Sequence, residues 1–73
     1  MRKVRDIDRE AISARMNEYM ELLGLNGKEM SERTGIDQSV ISAYKNGRFA
    51  PSAPMLRRIV MSTGLSADWW LGL

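Results

Sequence analysis

Apolar residues recur at helical intervals along most of the chain. Ile12, Met16, Tyr19, Met20 and Leu23 follow spacings of 4, 3, 1 and 3, one face of a helix of period 3.6 over residues 8–23. Gly24 then occupies the position where a left-handed residue commonly ends a helix. Asn26 with Glu29 three residues on has the form of a capping box. It predicts a second helix from about Gly27 to Thr34, with Met30 and Thr34 inward and Ser31 as a small inward side chain. Gly35 stops that helix, and Ile36 plugs the turn. Asp37 is the N-cap of a third helix through Lys45, with Val40, Ile41 and Tyr44 inward and Asn46-Gly47 closing it. Ser52 caps a fourth helix that accepts Pro54 in its first turn, where a missing N–H costs little. Leu56, Ile59 and Val60 form its inner face, and Gly64 ends it. Ser66 caps a last short helix holding Asp68, Trp69, Trp70 and Leu71. No strand-like alternation of useful length occurs, so the expected architecture is all-α, five helices joined by short turns.

Composition narrows the chemistry more than the fold. The 73 residues suffice for one small domain. The absence of Cys and His excludes disulfides and the Ser-His-Asp and Cys-His catalytic sets. It also argues against a zinc or transition-metal site, so no cofactor is expected and an enzyme is not. No apolar run approaches a membrane span, and the N-terminal residues lack the apolar stretch of a signal peptide. A cytoplasmic protein is the expectation. A domain this small buries little surface, which favours a partner.

The net charge of +2 conceals an asymmetry. Residues 1–5 carry Arg2, Lys3 and Arg5. Residues 6–32 carry seven acids against Arg9, Arg15 and Lys28, a balance of −4. Residues 38–67 carry Lys45, Arg48, Arg57 and Arg58 with no acid at all, a balance of +4. A basic second half suits an acidic partner, although four bases in thirty residues are also compatible with an ordinary solvated surface.

The middle of the chain has a more specific form. Residues 27–46 read as helix, glycine-centred turn and helix, with Ser31, Gly35 and Ile41 at the points of close approach. Such a unit can place its second helix in the DNA major groove. The segment from Leu25 to Ser42 resembles the helix-turn-helix of the phage Cro and lambdoid repressor family. The resemblance continues through Lys45-Asn46-Gly47-Arg48, Pro51-Ser52 and Gly64-Leu65-Ser66-Ala67-Asp68-Trp69, covering about residues 12–71. It implies a compact five-helix, lambda-repressor-like domain that binds double-stranded operator DNA, commonly as a homodimer. On this division residues 1–7 are a flexible arm and residues 8–73 the domain, with motif 27–46 and recognition helix 38–45.

The resemblance also assigns roles. Gln38, Ser39, Ser42 and Ala43 fall at the family's base-reading positions. A Gln amide can pair with both hydrogen-bonding groups of adenine, Ser is less discriminating, and an Ala methyl suits thymine. Asn26, Gly27 and Lys28 stand where the family clamps a phosphate at a helix N-terminus, and Lys45, Asn46 and Arg48 where it follows the recognition helix onto the backbone. Arg57 and Arg58 read as solvated surface ahead of phosphate ligands.

Three departures stand out. Gly27 replaces a frequent Gln, with Lys28 as a candidate substitute. Met20 and Lys45 replace an Arg–Glu ion pair, and a Met–alkyl contact is expected in its place. Thr63 replaces a core Leu, which predicts slight underpacking of helix four. Trp69, Trp70, Leu71 and Leu73 form an apolar C-terminus; adjacent rings diverge by about 100° on a helix, so one should face outward, and all four are assigned to a dimer interface. The leading function is a transcriptional regulator of repressor or Cro type. The alternative is an antitoxin-like or adaptor protein that uses the same fold to hold a protein partner.

Overall fold

The computed structural model describes residues 8–73; the arm assigned to residues 1–7, with Arg2, Lys3 and Arg5, lies outside the described residues. Among the described residues five α-helices follow in chain order: α1 (Arg9–Leu23), α2 (Gly27–Thr34), α3 (Gln38–Lys45), α4 (Ala53–Thr63) and α5 (Ala67–Leu71). No strand occurs among the described residues.

Every helix begins with a side-chain cap. Asp8, Asn26, Asp37, Ser52 and Ser66 each accept a backbone N–H from the first turn of the helix that follows. At α2 the capping box is complete: Asn26 Oδ1 accepts from Glu29 N at 2.8 Å and Glu29 Oε1 from Asn26 N at 2.9 Å. Gly35 ends α2 at φ +72°, a conformation a side chain would strain. That single residue lets the chain turn at once into α3.

Packing joins the helices in a closed ring: α1 on α3 and α5, α2 on α3 and α4, and α4 on α5. The shared core holds Ile12, Met16, Tyr19 and Met20 from α1, Met30 from α2, Ile36 from the turn, Ile41 and Tyr44 from α3, Leu56 and Ile59 from α4, and Trp70 from α5. Full burial of one such side chain is worth about 1.5–3 kcal/mol. Leu23 departs from its expected inward position and is 50% exposed. It is the last helical residue before the left-handed Gly24, and Leu25, beyond the turn, packs on the core instead.

Two further expectations meet the structure here. Thr63, in the place of a core Leu, is tied by polar bonds: its Oγ1 accepts from the indole Nε1 of Trp70 at 3.3 Å and donates to Ile59 O at 2.7 Å. Trp70 is fully buried and its N–H therefore needs such a partner. The interface assignment of Trp70 is corrected: Trp70 is core and unavailable to a dimer interface. In a five-residue helix only one of two adjacent rings can point inward, and Trp70 is that ring. Trp69 is half-buried, set edge-on to Trp70 with centroids 5.0 Å apart. The Arg15 guanidinium lies 4.7 Å from its ring centroid, and Arg15 Nε donates to Trp69 O at 2.8 Å. Leu71 is half-buried and Leu73 exposed.

Candidate nucleic-acid interface

The outer surface of α3 is set by its period. With about 100° per residue, Gln38, Ser39, Ser42 and Lys45, continued by Asn46, occupy an arc of roughly 120°, and all five are exposed. Val40, Ile41 and Tyr44 lie on the other side, half-buried or buried. Ala43 falls beyond the edge of the exposed arc and is only 7% exposed. The expectation of an outward Ala43 is therefore corrected: its methyl belongs to the packed side of α3.

Each end of α3 is tied down. At its start, the Asp37 carboxylate accepts from Ser39 N at 3.0 Å and from the Ser39 hydroxyl. Those two bonds, the hydroxyl's first and the amide's second, hold the Asp37 carboxyl below its ordinary value of 3.8 against slight desolvation. At its end, Ser13 Oγ donates to Lys45 O at 2.6 Å and Asn17 Nδ2 to the same oxygen at 3.0 Å. One turn of α1 thus caps the C-terminal carbonyl of α3. These bonds supply the α1–α3 link for which a contact of Met20 with the Lys45 alkyl chain was expected; Met20 itself is buried in the core.

The turn between α2 and α3 is held as firmly. Thr34 is buried; its Oγ1 donates to Met30 O at 2.9 Å and accepts from Ile36 N at 3.2 Å. Ser31 Oγ donates to Ile36 O. Arg58 reaches from α4 to donate to Gly35 O at 3.3 Å, so this cation braces the turn. Rigid placement of α3 relative to α2 follows from these bonds and from buried Met30, Ile36 and Ile41.

The N-termini of α2 and α3 lie side by side. A Cβ at Gly27 would sit 3.4 Å from Gln38 Nε2, so the Gln38 amide rests over the first residue of α2. At that separation a Cβ would make ordinary contact with the amide. The N–H groups of Gly27 and Lys28 belong to the first helical turn, whose donors lack intrahelical partners. Lys28 is exposed beside them, and Lys45, Asn46 and Arg48 are exposed at the other end of α3. Asn46 Nδ2 donates to Ser42 Oγ at 3.4 Å.

Several residues of this surface escaped the sequence reading. Asp37, read only as a cap, sets a carboxylate inside the candidate reading surface. Ser13 and Asn17 are unremarkable polar residues on α1, and only the folded pairing of α1 with α3 reveals them. Phe49, 49% exposed, stands beside Arg48 with its ring edge-on to Tyr44 at 5.7 Å. Exposed aromatic character next to a basic residue was the available signal.

No helix among the described residues is long and apolar enough to cross a membrane. No group of three His, Cys, Asp or Glu able to hold a metal occurs among them.

Comparison with known proteins agrees with this geometry. A helix-turn-helix domain family matches residues 13–72. The chain is also similar to an uncharacterized HTH-type transcriptional regulator of Methanothermobacter thermautotrophicus. The two are 35% identical over 49 residues, which covers 67% of this chain and 71% of the relative. No solved structure matches.

Proposed function

The chain belongs to the helix-turn-helix domain family, and from that premise we propose that it is a sequence-specific DNA-binding transcriptional regulator of the phage Cro and lambdoid repressor type. The observation that carries the proposal is the exposed arc of Gln38, Ser39, Ser42, Lys45 and Asn46 on a helix fixed at both ends. α3 acts as the recognition helix and enters the major groove. Gln38, Ser39 and Ser42 meet base edges, and the Gln38 amide is suited to a bidentate pair with adenine. The N–H groups of Gly27 and Lys28, aided by the Lys28 ammonium, hold one phosphate. Lys45, Asn46 and Arg48 hold others on the far side of α3, so the helix is clamped between backbone contacts. Asn26 shapes the first of these sites through its capping box and does not contact DNA with its Oδ1.

Two copies of the chain occupy a two-fold operator, their recognition helices about 34 Å apart, one turn of DNA. Exposed Leu73, with half-buried Leu71 and Trp69, supports contact between the copies through the C-terminal region. Occupancy of the operator regulates transcription by excluding or recruiting polymerase. The similar transcriptional regulator of Methanothermobacter thermautotrophicus supports the same reading. A mobility-shift titration over a range of salt concentrations tests it. The expected result is a log–log salt slope of several units together with strong preference for one duplex sequence. Equal binding to all duplexes would overturn it.

A further inference from the structure

The direction of one proton decides what Ser39 can recognise. Its hydroxyl bonds to Asp37 Oδ2, which also accepts the Ser39 N–H at 3.0 Å. An ionised carboxylate can only accept, while a hydroxyl has one proton to give and two lone pairs to offer. The proton in this bond is therefore the serine's. Because the two Ser39 donors hold the Asp37 carboxyl below its ordinary pKa, the carboxylate stays ionised through the neutral range. Toward solvent, Ser39 is left with lone pairs alone.

Ser42, one turn further along the same exposed face, provides an internal contrast. Its Oγ accepts from Asn46 Nδ2 at 3.4 Å, so its own proton remains free to donate outward. The two serines of the candidate reading surface thus differ, Ser39 able only to accept and Ser42 still able to donate, although the sequence writes them identically.

We infer that Ser39, held by Asp37, reads the major groove purely as a hydrogen-bond acceptor and selects an amino-bearing base, adenine or cytosine, on the strand it faces. The inference rests on the proposed reading of α3 as a recognition helix. In the major groove adenine N6 and cytosine N4 donate, whereas guanine O6 and N7 and thymine O4 accept. Opposite guanine or thymine, Ser39 either sets acceptor against acceptor or abandons a charge-assisted bond to Asp37. The expected signature is an operator position where adenine and cytosine are accepted about alike and guanine and thymine are rejected. An Arg, Lys or Gln at this point would leave a different signature, because each favours a single base. Asp37 lowers affinity for phosphate by its charge, and in return it fixes the polarity of its neighbour.

The test is selection of bound duplexes from a random pool by the wild-type protein, Ser39→Ala and Asp37→Gly. Glycine is tolerated at an N-cap, so the last variant keeps the helix while freeing the hydroxyl; circular dichroism verifies that both variants fold. The wild type should enrich adenine plus cytosine at one position by about three- to tenfold, the span of a net hydrogen bond. Ser39→Ala should level that position and leave the others. Asp37→Gly should admit guanine or thymine there and keep the rest of the motif. A wild-type preference for guanine or thymine at the position that Ser39→Ala levels would overturn the inference while leaving the DNA-reading proposal intact. So would an Asp37→Gly motif identical to the wild-type one. A pool from which the wild type enriches nothing would overturn the DNA-reading proposal itself.

Discussion

Replacing Thr63 by Val removes a hydroxyl and keeps the shape of the side chain. Three hydrogen bonds change. The bond to Ile59 O matters little, because that carbonyl also accepts from Ser62 Oγ at 3.2 Å. The bond from Leu65 N is long, at 3.4 Å. The remaining one, from Trp70 Nε1 at 3.3 Å, dominates the cost, because Trp70 is 0% exposed and water cannot replace the lost acceptor. Leaving a buried donor unpaired costs about 1–3 kcal/mol. The length of the bond places this case at about 1–2 kcal/mol. For a domain of this size each kcal/mol moves the midpoint by about 4–8 °C, so Thr63→Val should melt roughly 4–16 °C below wild type. Thr63→Ser keeps the hydroxyl and loses one half-buried methyl, at a cost of no more than about 0.8 kcal/mol. Thermal unfolding followed by far-ultraviolet circular dichroism distinguishes the two. A Val variant as stable as wild type, or a Ser variant less stable than the Val variant, would refute the reasoning.

Three other outcomes are expected. Ser13→Ala and Asn17→Ala should each cost little in urea unfolding, because the other donor still serves Lys45 O. The double variant should lose more than the two singles together, and strict additivity in the cycle would count against the shared cap. Arg48→Ala should weaken binding to all duplexes about equally and reduce the salt slope by about one; a change confined to one sequence would assign Arg48 to base reading instead. Stability should also fall at both ends of the pH scale. Burial raises the Tyr44 phenol above its ordinary 10.0, so its contribution is complete below pH 10.0 and lost as pH rises through the folded-state value. The Asp37 contribution is complete above pH 3.8 and lost as pH falls through its lower folded-state value. Urea midpoints across pH check both directions.

The helices were legible because each is punctuated by chemistry with a local cause. Caps such as Asn26 with Glu29, and the left-handed Gly35, act within a few residues of chain. Apolar spacing placed Ile12, Met16, Tyr19 and Met20 correctly, but it carried the stripe one turn too far, to Leu23. The helix ends there, and the chain bends so that Leu25 takes the inner place. Ala43 and Trp70 were misplaced for a related reason. A small residue at the margin of a helical arc, or one of two adjacent aromatics, is assigned to a side only when its neighbours in space are known. The long-range bonds of Ser13 and Asn17 to Lys45 O, and of Arg58 to Gly35 O, have no local signature. Thr63 shows the same limit in reverse: it looked like a missing Leu, and only its approach to the Trp70 indole explains a hydroxyl there.

The central claim is that the exposed arc of α3 reads DNA sequence. Its most direct test is the ratio of affinities for a pool-selected duplex and a scrambled duplex of equal composition, measured by fluorescence anisotropy at one fixed salt concentration. The expected ratio is about a thousandfold or more, collapsing toward one when Gln38, Ser39 and Ser42 are together replaced by Ala. A wild-type ratio near one, or a large ratio that survives the triple replacement, would contradict it.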